Sequence, residues 1–567
     1  MVQTNRDRTN FKRILLMLLP YWTPLIPPMG ITSLKSFLEQ KGFQVKTVDA
    51  NAEMLFKQHY DKYFNLLREY IPADHWGNFF NIGHDVLRNQ MMAHLNYSDE
   101  EEYASLTKTL VFETFYHELT RPQVDSLIEI MADFYQKLHG YVLRLLEEEK
   151  PDVLGLTACL GTLPACLYTF KLAKEKEPRL KTIMGGTAFA GQIPVGSPDY
   201  ELFLSRTPYI DHIIFGEGES LLLKLLRGEL PEKRLYTEAD LHGEQLDISA
   251  KPLPDFSDLE VDFYPYLGAT GSKSCLYQCS FCNVVGFFGE YRQKTVKQTV
   301  AEMKVLYKKY HYQLFFMTDS LLNPIITDFA NEIINHNQSM YWDGYLRVGE
   351  EVEDIENTLL WRRGGFYRAR LGVESGSQRI LDLMGKKITV EQTKKALAAL
   401  AFAGIKTTAY FVIGHPGETE ADFQQTLSLL EELKNDIWEA ECNPFYYYYN
   451  GQPKSDEWED KRVLLYPESA TNMLLTQTWI LDCEPSRKET FYRIFRFAEQ
   501  CAKLGIPNPY SRNEIYKADE RWRKLHKNAV PSLLEFSNKN KYIDENLKIR
   551  RLSPAYSISL QDGDFGF

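Results

Sequence analysis

The sequence predicts an α/β protein built from two consecutive parallel-sheet modules: a doubly wound sheet with a helical insertion, then a partial or full βα barrel, then a mixed, mainly helical C-terminal extension. Three observations predict it. Short apolar runs alternate with helix-period segments twice, over about 12–226 and about 265–450. Residues 52–148 interrupt the first alternation with Phe, Tyr, Leu, Glu and His and little turn punctuation. A polar, proline-bearing stretch, about 228–262, separates the two alternations and reads as a linker. The expected divisions are 1–240, 241–455 and 456–567.

Ile14 to Leu19 is a continuous apolar run, as in a strand buried on both faces. Gly30 to Lys41 has helical spacing and Gly42 ends it; Val45 to Val48 is a second strand. After the insertion, Val153 to Leu156, Thr182 to Met184 and His212 to Phe215 are strands, with a helix over Leu163 to Lys174 and another opened by Gly216-Glu217-Gly218-Glu219. Ligands on such sheets bind outside the carboxyl ends of the strands. In the second alternation the strand candidates are Leu314 to Met317, Ala369 to Val373, Thr408 to Ile413 and Glu441 to Tyr449, and a helix spans Thr389 to Ala403. A barrel of this kind works at its strand C-termini. Helical signals follow at 467–480 and 487–504.

The 567 residues include 65 Lys plus Arg and 77 Asp plus Glu, a net charge of −12. That balance has no global attraction for nucleic acid or anionic lipid, so neither is expected as a partner. The early run Ile14 to Leu19, behind Arg6, Arg8, Lys12 and Arg13, is too short to span a membrane, and no small-residue cleavage site follows it. A cytoplasmic location is expected. Eight cysteines form no disulfide framework, but three of them crowd into one short loop.

That loop is Cys275-Leu276-Tyr277-Gln278-Cys279-Ser280-Phe281-Cys282. Three thiolates at this spacing can converge on one centre. A fourth protein ligand would close a zinc or iron–sulfur site, whereas three leave one iron open to substrate. With Phe281 before the last cysteine, the segment resembles the signature of the radical S-adenosylmethionine (SAM) superfamily. Leu371-Gly372-Val373-Glu374-Ser375-Gly376-Ser377 and Phe411-Val412-Ile413-Gly414-His415-Pro416-Gly417-Glu418-Thr419 resemble two further segments of that family, in the same order.

The resemblance implies that Cys275, Cys279 and Cys282 hold a [4Fe–4S] cluster whose open iron chelates SAM, and that reductive cleavage of SAM yields a hydrogen-abstracting 5′-deoxyadenosyl radical. It implies SAM contacts for Phe281, Thr318 and Asp319, for Arg347 toward the carboxylate, for Glu374 and Ser375 toward polar atoms, and for Ile413 and Gly414 beside the adenine. Read as residues alone, the alternatives are a surface ion pair for Arg347, plain core for Ile413, and turn formers for Gly414 and Gly417.

Residues 12–226 resemble the Rossmann-like cobalamin-binding domain that precedes the radical SAM barrel in one class of that superfamily. The likeness rests on Pro27-Pro28-Met29-Gly30-Ile31, Val48-Asp49-Ala50-Asn51, Gly155-Leu156-Thr157, Gly185-Gly186-Thr187 and the Gly216 to Glu219 turn. It implies cobalamin contacts at Tyr21, Trp22, Gly30, Thr157, Gly185, Gly186, Thr187, Glu217 and Gly218. Glycines at strand ends let backbone approach a large ligand. The D-x-H-x-x-G motif that supplies an axial histidine is absent, and the loop reads Tyr21-Trp22-Thr23-Pro24-Leu25-Ile26 instead. Cobalamin without that histidine is the expectation.

Within this class the implied reaction is methyl transfer to an unactivated carbon of a small-molecule, carrier-bound or peptide substrate. Radical rearrangement, oxidation, cyclisation or epimerisation is the alternative, and a non-catalytic iron–sulfur protein the second. An electron donor such as ferredoxin or flavodoxin is implied. Phe445 to Tyr449 would place alternate tyrosines inward, or pack them on both faces. Cys442, Cys483 and Cys501 read either as hydrogen donors or as inert core. His75, His84, His311 and His415 show no metal-ligand spacing, and Asp99 to Glu102 reads as a solvated acidic face.

Overall fold

The structure is a computed structural model that describes residues 13–22, 25–191, 193–244, 246–336, 340–449, 451–509, 512–529 and 532. Arg6, Arg8, Lys12, Thr23, Pro24 and most of the chain beyond 529 lie outside the described residues.

The first sheet contains β1 (Arg13–Leu18), β2 (Gln44–Asp49), β3 (Val153–Thr157), β4 (Lys181–Gly185), β5 (His212–Ile214) and β6 (Leu235–Tyr236), all parallel, in the order β2-β1-β3-β4-β5-β6. Successive residues of β1 enter different cores. Ile14, Leu16 and Leu18 pack under the helices Met29–Glu39 and Gly218–Leu226, while Leu15 and Met17 face the insertion. The uninterrupted apolar run is thus the signature of a two-sided strand. The order reverses between β1 and β3, and that crevice is the topological switch point of the sheet.

The insertion is helical as expected, with helices Met54–Tyr70, Phe79–Asn96, Glu100–Phe115 and Arg121–Glu149. Asp99 caps the third, accepting from the Glu101 and Glu102 amides, so the acidic run opens a helix where negative charge suits the dipole. The stretch read as a linker contributes β6, the edge strand of the first sheet.

The second sheet begins with β7 (Leu267–Ala269), too short to stand out in the sequence. A two-stranded antiparallel ribbon, β8 (Ser272–Lys273) with β9 (Arg292–Gln293), follows it. Then come β10 (Leu314–Met317), β11 (Tyr341–Arg347), β12 (Phe366–Glu374), β13 (Lys406–Ile413) and β14 (Glu439–Pro444). The parallel order β7-β10-β11-β12-β13-β14 leaves β7 and β14 as edges, so the barrel is partial.

Two sequence expectations change here. The last strand stops at Pro444, because β13 ends at Ile413 and Gly414 turns away with φ +82°, so Tyr446 to Tyr449 have no ladder to join. The helix expected over 467–480 is only Thr471–Leu474. Leu475 leaves it with φ +55°, and β16 (Trp479–Leu481) pairs with β15 (Arg462–Leu464).

The barrel interior is charged. Asp343, Arg368, Arg370, Lys406, Glu439 and Glu441 are each at most 1 % exposed. Asp343 Oδ2 accepts from Arg368 Nε at 3.2 Å and Arg370 Nη2 at 2.8 Å, and Lys406 pairs with Asp519 at 2.7 Å. Asp519 and Trp522 belong to the helix Arg512–Leu525, which closes the barrel floor.

Candidate active site

The carboxyl ends of both sheets open on one cleft of two connected cavities that share Met29, Gly30 and Thr157. The first, of about 190 Å³, runs from the ends of β3, β4 and β5 under Met29–Glu39 to β7 and Thr318. The second, of about 340 Å³, lies at the switch point between β1 and β3 and against the ends of β12 and β13. Both reach or approach the size range of small-molecule sites.

The cysteine loop sits beside this cleft on a built base. The β8–β9 ribbon closes its neck, Asp319 accepts from the Gly271 amide at 3.0 Å and Ser272 Oγ at 2.6 Å, and Ser280 bonds His415 Nε2 at 2.9 Å. The Cys282 amide donates to the Cys279 carbonyl at 3.0 Å, folding the loop on itself. Burial pushes the Cys275 thiol up and the Cys282 thiol to about 12, and the neighbouring cysteines add to both. Among the described residues no three Cys, His, Asp or Glu side chains are gathered at metal-holding distances. The three thiols share one turn without being drawn together. A bound cation ionises such thiols and supplies the attraction.

Around the loop, Arg347 Nη1 lies 3.4 Å from Cys279 Sγ and its plane 3.9 Å over the Tyr277 ring, while its buried Nη2 has no hydrogen-bond partner. Glu374 pairs with Lys386, whose ammonium stands 5.8 Å over Phe281. Thr318 lines the first cavity and Glu374 the second.

Asp319, Ser375, Ile413 and Gly414 line neither cavity. Asp319 is fully buried, and its carboxylate holds the loop base; burial raises it to about 6. The Ser375 hydroxyl is committed to Thr426 and the Ser377 amide. Ile413 is fully buried in the barrel core, whereas Tyr410, Phe411 and Val412 before it line the second cavity. At Gly414 an added Cβ would stand 2.3 Å from Thr490, so this glycine admits the helix Arg487–Leu504 against the turn.

In the first module, Gly30, Thr157, Gly185, Gly186, Glu217 and Gly218 line the first cavity, and Tyr21 and Trp22 the second. At Gly186, φ is +108° and a Cβ would meet the Ala158 carbonyl at 2.4 Å, which binds the ends of β3 and β4 together. Thr187 lines neither cavity. Glu217 is engaged by Lys251 at 2.8 Å, Arg292 at 2.9 Å and Lys273 at 3.1 Å, a bridge from the first sheet to the neck of the cysteine loop. Burial opposes its charge, but the three cations hold it well below the ordinary carboxylate range. His84 is the one histidine lining either cavity among the described residues. Its Nε2 bonds Tyr60 at 2.6 Å, and burial lowers it to about 4.

Sequence reasoning missed Cys159, Asn81, Asp85, Arg88, Gln477 and Arg487, all of which line the second cavity. Only the period-2 charges inside β12 and β14 left a readable trace in the barrel. Cys442, Cys483 and Cys501 line neither cavity.

Comparison with known proteins identifies the class. Residues 271–430 match the Radical SAM superfamily and residues 126–226 the B12 binding domain. The chain therefore carries a B12-binding domain followed by a radical SAM domain. Its cofactors are those of the two domains: a [4Fe–4S] cluster, SAM and cobalamin.

Among relatives, the anaerobic magnesium-protoporphyrin IX monomethyl ester cyclase of Rubrivivax gelatinosus is 28% identical over 51% of this chain and 55% of its own length. An uncharacterized methyltransferase of Pyrococcus horikoshii is 24% identical over 60% and 74%. The chain spans about half the length of the first curated relatives it matches. The solved radical SAM methyltransferase TsrM of Kitasatospora setae, with tryptophan and a SAM analog bound, superposes with TM-score 0.59 at 13% identity, covering 95% of this chain and all of its own. That likeness establishes a shared architecture. No helix among the described residues is long and apolar enough to cross a membrane.

The residues fit these groups by the chemistry of their donors. The loop offers three cysteines with an unpartnered guanidinium nitrogen beside them. In the first module a glycine-lined cavity opens at the strand ends between sheet and helices.

Proposed function

We propose that the chain is a cobalamin-dependent radical SAM methyltransferase acting on an unactivated carbon of a small-molecule, carrier-bound or peptide substrate. The observation that supports this most is the single cleft onto which both sheets direct their carboxyl ends, with the cysteine loop at its side. When bound, the cluster with SAM supplies a hydrogen-abstracting radical and cobalamin a methyl carrier.

In this reading Cys275, Cys279 and Cys282 hold three irons. The unpartnered Nη2 of Arg347 is placed to receive the SAM carboxylate, with Thr318, Glu374 and Phe281 around the remaining SAM atoms. Asp319, Ser375, Ile413 and Gly414 hold the walls. Gly30, Thr157, Gly185, Gly186 and Gly218 leave room for cobalamin, and Tyr21 and Trp22 close its outer side. Divisions near 240 and 455, and reduction by a ferredoxin or flavodoxin, complete the reading.

The test is metal content after anaerobic purification with cobalamin supplied, followed by turnover with SAM carrying a trideuterated methyl group. About four irons and one cobalt per chain, with label in the product, are expected. Four irons without cobalt overturn methyl transfer. The cyclase relatives favour a second reading, radical oxidation or cyclisation, which gives 5′-deoxyadenosine and an unlabelled product.

A further inference from the structure

One wall of the second cavity is built by the insertion and the chain beyond β14: Asp85, Arg88, Tyr446, Tyr466, Gln477 and Arg487. Its charges do not balance. Arg88 Nη1 pairs with Asp85 at 3.1 Å. Arg487 makes no ion pair within 4.0 Å among the described residues. Its Nε instead donates to the Glu113 backbone carbonyl at 3.2 Å, and its plane lies 4.4 Å over the Phe491 ring. A guanidinium anchored by a carbonyl and a ring, and facing a cavity, is a preorganised receptor for a carboxylate. The hydroxyls of Tyr446 and Tyr466 both lie in the field of Arg487, Arg88 and Asp85, which groups these charges around two rings.

A second observation points to a ligand. Gln477 is 4 % exposed, and its Oε1 has no hydrogen-bond partner. A buried amide oxygen left unpaired is costly, and a ligand N–H or O–H removes that cost. Much of the rest of the surface is aromatic, through the tyrosine run and Trp479. Flat rings on a cavity wall favour a planar partner.

We propose that this wall binds a small planar aromatic carboxylic acid, with its carboxylate on Arg487, its ring against the tyrosine run and an N–H or O–H donor on Gln477 Oε1. The proposal rests on the second cavity being the substrate site and names the chemical class of that substrate.

The test is equilibrium binding to the anaerobic holoenzyme, without reductant, of 6-hydroxy-2-naphthoate, its primary amide and 6-methoxy-2-naphthoate. The hydroxy acid should bind at least about tenfold tighter than the amide, as a charged hydrogen bond predicts. In R487M the acid should fall to the affinity of the amide while the amide is unchanged. The methoxy acid should bind several-fold more weakly than the hydroxy acid in the wild type but not in Q477L. Iron and cobalt content and the thermal midpoint of each variant report on folding. Equal binding of acid and amide by the wild type, or an R487M variant that weakens both alike, overturns the proposal. Because binding needs no SAM cleavage, acid-selective binding without methyl transfer would sink only the methyltransferase reading. Labelled product with no preference for the acid would sink only the substrate class.

Discussion

Arg347 Nη1 stands 3.4 Å from Cys279 Sγ, so the cation at the end of β11 and the central cysteine of the loop form one unit. Its stacking on Tyr277 leaves Nη2 buried and unpartnered. A guanidinium in this setting offers an N–H donor to an anion beside the cysteine loop, and the proposed anion is the SAM carboxylate. R347M, which keeps the apolar stem, is expected to weaken SAM binding by at least about tenfold while iron content stays constant. R347K should fall between, because an ammonium lacks the planar fork. Unchanged SAM affinity in R347M would place the SAM carboxylate elsewhere.

Glu217 ties the first module to the β8–β9 ribbon through Lys251, Lys273 and Arg292. Its folded pKa is depressed, so its contribution is present in full above the unfolded carboxylate range and is lost only as pH falls. E217Q leaves Lys273 and Arg292 without their carboxylate, while Lys251 keeps Glu219 at 2.8 Å, and should cost about 3 kcal/mol. The lower thermal midpoint should hold a constant gap to the wild type from pH 6 to pH 8.

Asp319 gives the opposite sign. Burial raises it to about 6, so its folded pKa exceeds the unfolded value of about 3.9. Stability from this group is present in full below the unfolded value and is lost as pH rises through about 6. D319N can still accept from the Gly271 amide and bond the Ser272 hydroxyl, without the buried charge. Between pH 5 and pH 7 the wild type should therefore lose stability relative to D319N, by up to about 2 kcal/mol, with no further change above. Unfolding midpoints of both proteins across that range decide it; parallel curves would contradict the burial of a charge there.

Gly414 has φ +82° and faces Thr490 at a distance no Cβ tolerates. G414A combines left-handed strain with overpacking and should destabilise by about 2–4 kcal/mol. Adding T490A should recover part of the loss. Additive losses in a double-mutant cycle would show that the two residues do not share the contact.

The sequence made the two alternations, the insertion and the cysteine loop legible, because strands buried on both faces and long helices carry strong periodic signals. It concealed β7 and β6, which have only three and two residues. It extended the last strand into the tyrosine run, since β propensity does not reveal that β13 has already turned at Gly414. Motifs located the cysteine loop and the strand ends beside the cleft. They were silent about Arg487, Gln477 and Asp85, whose positions depend on chain segments that meet only in the folded molecule.

The helix Arg487–Leu504 has one face on β13 and β14 and another on the insertion, where Phe495 stacks on His75 at 5.3 Å and Arg487 holds the Glu113 carbonyl. The insertion and the barrel are thereby riveted across the mouth of the second cavity. A substitution that shifts this helix therefore disturbs two seats at once, the aromatic stack on the insertion and the packing on the barrel.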